Sequence, residues 1–107
     1  MNNIIKIVLA TLVMLSMSVS TLNADHNKGK TLYLKKLKSA CKMTGAKMAV
    51  KHSQSEWENI NNAGKLADEL KSICPSLPAK SLKGKYLPHY YDFFHMYAND
   101  TGNVPSC

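Results

Sequence analysis

Residues 29–45 read Gly-Lys-Thr-Leu-Tyr-Leu-Lys-Lys-Leu-Lys-Ser-Ala-Cys-Lys-Met-Thr-Gly. Tyr33, Leu34, Leu37, Ala40 and Cys41 recur at helical spacing, while Lys35, Lys36, Lys38 and Lys42 fill the remaining positions. That period predicts an amphipathic helix over about Lys28 to Lys42. Thr44-Gly45 is its stop signal, with glycine supplying a left-handed turn. A short turn over Ala46 to Val50 follows.

Working outward, the chain shows three more helical patterns and no strand-like alternation. Ser53-Gln-Ser-Glu56 has the spacing of a capping box and opens a second helix carrying Trp57 and Ile60. A third runs over about Lys65 to Ile73, with Leu66, Leu70, Ile73 and Cys74 on one face, and Pro75 stops it. Ser76 to Lys85 reads as a loop. The fourth covers about Pro88 to Ala98, where Tyr90, Phe93, Phe94 and Tyr97 form the apolar stripe and Pro88 suits the first turn. The expected class is therefore all-α, a four-helix domain.

The first 24 residues belong to another kind of segment. Met1 to Lys6 ends in one positive charge, Ile7 to Ser20 is apolar and uncharged, and small Ala24 precedes Asp25. That pattern is a secretory signal with cleavage expected after Ala24. It implies a periplasmic location and leaves 25–107 as one small domain. Cleavage there would expose Asp25-His26, an amine and an imidazole able to chelate a divalent metal.

All 14 basic residues are lysine, and 13 of them lie beyond residue 24 against seven acids. Lysine lacks the planar fork with which arginine reads phosphates and base edges, and export also argues against a nucleic-acid partner. The charge instead suits solubility and steering toward an acidic periplasmic redox or scaffold protein.

Three cysteines, Cys41, Cys74 and Cys107, behind an export signal imply one bridge and one odd thiol. Cys74–Cys107 is the favoured pairing, because it closes about 34 residues and pins a terminal tail; Cys41–Cys74 is the alternative. His52, His89, His95 and Met96 are candidate metal ligands, and a His/Met set suits copper. Against this, His95 reads as a polar-face residue near Asp92, and Met43 and Met48 as core fillers. Trp57 is expected in the core with its N–H satisfied. Cys41 with His52 is the one pair that could be drawn as nucleophile and base, but a thiol on an apolar stripe is poorly activated. No paired carboxylates, phosphate loop or C-x-x-C motif is present, so no enzyme is expected.

Gly29, Leu32 and Tyr33 resemble the lead-in of the N-terminal helix in small bacterial c-type cytochromes. His52-Ser53-Gln54-Ser55-Glu56-Trp57, Cys74-Pro75 and Tyr97 to Cys107 resemble segments of small exported proteins of the cytochrome c family. The resemblance implies a cytochrome-c-like domain whose aromatic C-terminal helix packs across the first, a haem and an electron-transfer role. The chain departs from that family where haem should be attached. No C-x-x-C-H is present, and in one register Leu37, Ala40 and Cys41 stand in its place; in the next, Lys38, Cys41 and Lys42. If haem binds, Cys41 is the attachment candidate, and Lys42, Met43, Met48, His52, His89, His95 and Met96 are the axial candidates. The two functions left open are a cytochrome-like electron carrier, or its haem-less descendant, and a disulfide-stabilised helical interaction module without a cofactor.

Overall fold

The computed structural model describes residues 25–105; the expected signal segment and Cys107 lie outside them. The described chain is all-α, and the four expected helices are six. Asp25 caps the first, α1 (His26–Lys36), its Oδ1 accepting from the Asn27 N–H at 2.9 Å. Helix α2 (Lys38–Cys41) continues α1 through a bend at Leu37. The ladder survives the bend, since Leu37 N–H donates to Tyr33 O and Cys41 N–H to Leu37 O, both at 2.9 Å. The left-handed residue that ends α2 is Lys42, at φ 55°, and not a glycine.

Thr44 then caps α3 (Gly45–Ala49), accepting from the Lys47 N–H at 3.2 Å. Gly45 thus opens a helix where a stop was expected. A Cβ there would stand 2.6 Å from Phe93 Cζ, so the residue is selected by close packing. Helix α4 (Gln54–Asn62) begins with the expected capping box. Ser53 Oγ accepts from Glu56 N–H at 3.2 Å, and Glu56 Oε1 accepts from Ser53 N–H at 2.8 Å. The Ser53 backbone N–H is the largest cause holding the Glu56 carboxyl below its ordinary value, and the Ser53 hydroxyl and His52 add to it against the opposing effect of burial. Helix α5 (Leu66–Ile73) stops before Cys74-Pro75, and one 3-10 turn (Ala79–Leu82) interrupts the expected loop. Helix α6 (Leu87–Met96) takes Pro88 in its first turn.

The first and last helices pack most extensively on each other, the arrangement expected of an aromatic C-terminal helix. Gly29 is the crossing point: a Cβ there would lie 2.0 Å from the His89 carbonyl oxygen and 2.8 Å from Phe93 Cβ. Below the crossing, Tyr33, Leu37, Met48, Trp57, Leu70, Tyr90, Phe93 and Phe94 are all at 0% exposure. Trp57 stacks on Phe94 with centroids 4.8 Å apart, and its Nε1–H donates to Ala49 O at 2.9 Å. Met48 is the core filler expected, and Met43 packs against the core from its edge. Leu34, placed on the apolar stripe by period, is instead 39% exposed. Among the described residues no helix is long and apolar enough to cross a membrane.

Candidate functional site: a lysine groove clamped by a disulfide

The bridge joins Cys41 at the end of α2 to Cys74 at the end of α5, with Cα atoms 5.2 Å apart. This corrects the Cys74–Cys107 pairing, since Cys74 already has its partner. Both pairings close loops of similar length, and what decides between them is that the core brings the ends of α2 and α5 together. The same bond corrects the assignment of Cys41 as a haem-attachment residue, because its sulfur is consumed. Lys42 beside it is an exposed, left-handed helix cap.

Haem does not fit the remaining residues. The interior that would receive it is filled by Trp57, Tyr33, Phe94 and Met48, each at 0% exposure. His89 lies at the Gly29 crossing, its carbonyl oxygen against the first turn of α1, whereas Cys41 ends α2 beyond the bend at Leu37. The His89 Nδ1 is buried without a hydrogen-bond partner, and among the described residues no other candidate ligand is gathered beside it.

The candidate metal ligands are not gathered. His52 Nε2 meets Glu69 Oε2 at 2.7 Å, while its Nδ1 faces Glu56 Oε1 at 3.6 Å, so the two carboxylates occupy opposite sides of the ring. The ring also stands edge-on to Trp57, and Asn99 N–H donates to the His52 carbonyl at 3.1 Å. His52 therefore ties α4, α5 and the turn after α6 together. His95 Nε2 pairs with Glu58 Oε1 at 3.1 Å across α6 and α4, in place of Asp92. Met96 Sδ accepts from Asn103 Nδ2 at 3.7 Å. His26 packs its ring against Tyr97. Among the described residues no three His, Cys, Asp or Glu side chains converge on a metal position. Cys41 and His52 form no nucleophile–base pair, since each is already engaged.

What the fold does assemble is basic. Residues 26–55 contain eight lysines and no acid, and residues 70–91 contain four lysines and no acid. The disulfide places these two segments side by side. Ser76 Oγ donates to Ala40 O at 2.8 Å, and Tyr90 Oη donates to Ser81 O at 2.8 Å, fixing the second segment against α2 and α6. Between them lies a groove of about 450 Å³ lined by Lys35, Lys36, Lys80, Lys83, Ser39, Ser81 and Tyr86, with Ala40 and Pro78 completing its wall. Lys36 Nζ lies 4.7 Å and Lys85 Nζ 5.2 Å from the Tyr86 ring centre. Burial alone would raise the Tyr86 phenol, yet the charges of Lys36, Lys85 and Lys83 outweigh it and draw the phenol below its ordinary value. Among the described residues no carboxylate pairs with Lys35, Lys36, Lys80 or Lys83.

A second cleft of about 440 Å³ adjoins it, sharing Ser39, and is lined by Leu34, Lys38, Lys42, Met43 and Thr44. Its floor is the exposed Leu34 and the half-buried Met43. The basic charge is legible in the sequence, but the groove is not. The available signal was the absence of acids from two separate segments, each containing a cysteine. No protein-family model, curated protein or solved structure matches this chain.

Proposed function

We propose that this chain is a haem-free helical interaction module, a descendant of a cytochrome-c-like domain, that meets an acidic protein partner through its lysine face. The observation that carries the reading is the Cys41–Cys74 bridge, which occupies the one thiol aligned with haem attachment and turns it into a structural clamp. The glycine-mediated crossing of α1 and α6 supports the ancestry, because the resemblance in α1 implies that packing. The filled aromatic core supports the loss of the cofactor, since close-packed interiors leave no space for a macrocycle. Partner binding here is steered by charge, with lysines acting as hydrated point charges.

An absorption spectrum of the purified protein, oxidised and reduced, tests the reading. A colourless protein is expected, with a free-thiol titre of one per chain. A Soret band with sharp reduced α and β bands would overturn it.

A further inference from the structure

We propose that the groove between α1/α2 and the Ala79–Leu82 turn, together with the Leu34–Met43 cleft beside it, is a binding site for an acidic peptide segment that carries an apolar side chain next to its carboxylates. The inference rests on the interaction-module reading and adds the place and the chemistry of the partner.

Three observations lead there. First, Lys35, Lys36, Lys80 and Lys83 line one concavity without a carboxylate among them. Like charges held within a Debye length, about 8–10 Å, repel one another. The Cys41–Cys74 bond and the Ser76–Ala40 and Tyr90–Ser81 hydrogen bonds hold the two segments together against that repulsion. An anion in the groove relieves it. Second, Ser39 and Ser81 place polar groups between the charges, so a peptide chain finds hydrogen-bond partners as well as cations. Third, the adjoining cleft has an apolar floor, with Leu34 exposed and Met43 half-buried, and the two clefts meet at Ser39. An inorganic polyanion has nothing to place there, whereas a Leu or Phe flanking an acidic run does.

The clamp gives the site a redox dependence. Two-electron reduction of the bridge by an added dithiol converts Cys41–S–S–Cys74 to two thiols while the dithiol becomes its own disulfide. The covalent tie between the two lysine segments is then gone.

Fluorescence anisotropy with a labelled Leu-Ser-Glu-Glu-Glu-Glu peptide tests the proposal, using purified oxidised protein. The double variant Lys36→Gln/Lys83→Gln is expected to weaken binding roughly tenfold. Lys47→Gln/Lys51→Gln, which removes the same charge outside the groove, is expected to change it less than about twofold. Leu34→Ser weakens the Leu peptide but not its Gly-Ser-Glu-Glu-Glu-Glu counterpart, and reduction weakens both. Equal losses from the two lysine pairs would overturn the groove while leaving a diffusely basic interaction module intact. Equal or tighter binding of a single-stranded oligonucleotide, inorganic polyphosphate or anionic vesicles would overturn the peptide. Circular dichroism of each variant confirms that all are folded. In wild type, amide chemical-shift changes concentrated at Ser39, Ser81 and Tyr86 are expected; their absence at saturating peptide would also reject the site.

Discussion

Gly29 shows how much one missing methyl group decides. Its Cβ would lie 2.0 Å from a backbone oxygen of α6, and backbone cannot rotate away as a flexible side chain can. Gly29→Ala should therefore force the two helices apart and destabilise the protein by about 3 kcal/mol, at the upper end of overpacking costs; urea denaturation gives the value. Tyr90 supplies a pH signature. Burial, with a smaller contribution from Tyr86, pushes its phenol up to about 12. Its hydroxyl donates to Ser81 O, a bond that only the protonated form makes. In the unfolded chain the phenol releases its proton near pH 10, so between the two values the unfolded state holds fewer protons. Stability is whole below the lower value and falls as pH rises, by about 1.4 kcal/mol per pH unit over that window. Tyr90→Phe should remove this part of the alkaline slope in a comparison of denaturation midpoints from pH 9.5 to 11.5.

At the scale of elements, the local signals in the sequence are good where chemistry is local. The Ser53–Glu56 capping box, the Pro75 stop and the Pro88 start all form, because each depends on residues within one turn. The end of the first helix was not legible in the same way. Glycine is the usual left-handed residue, so Gly45 looked like the terminus, yet Phe93 from a helix 48 residues away claims that glycine for close packing. Lys42 takes the left-handed turn instead, at φ 55°. A side chain in that region costs about 1–2 kcal/mol relative to glycine. Lys42→Gly should thus stabilise the fold, by about 0.5–1 kcal/mol after the greater freedom of glycine in the unfolded chain is allowed for. Thermal denaturation should show a higher midpoint; a fall would mean that the Lys42 side chain makes a contribution larger than its backbone cost.

For the whole molecule, the aromatic stripes made the core legible: Tyr33, Tyr90, Phe93 and Phe94 could be named from period alone, and Trp57 from its bulk. The site was not, because it is assembled from segments about 40 residues apart. Three cysteines permit three bridges, and loop entropy hardly separates Cys41–Cys74 from Cys74–Cys107. Only the packed core decides which ends meet, and only that meeting creates the lysine groove. The 33-residue separation of the bridged cysteines makes the bond worth about 3–4 kcal/mol by loop entropy. Replacing both with alanine should lower stability by that amount, read by denaturant titration, and in a domain this small it removes a large part of the total. The central claim is that Cys41 is a clamp and not a haem anchor. Non-reducing peptide mapping of the native protein by mass spectrometry tests it most directly. The account predicts one linked peptide pair containing Cys41 and Cys74, with the Cys107 peptide alkylated as a free thiol. A haem mass carried on the Cys41 peptide, or a Cys74–Cys107 link, would contradict it.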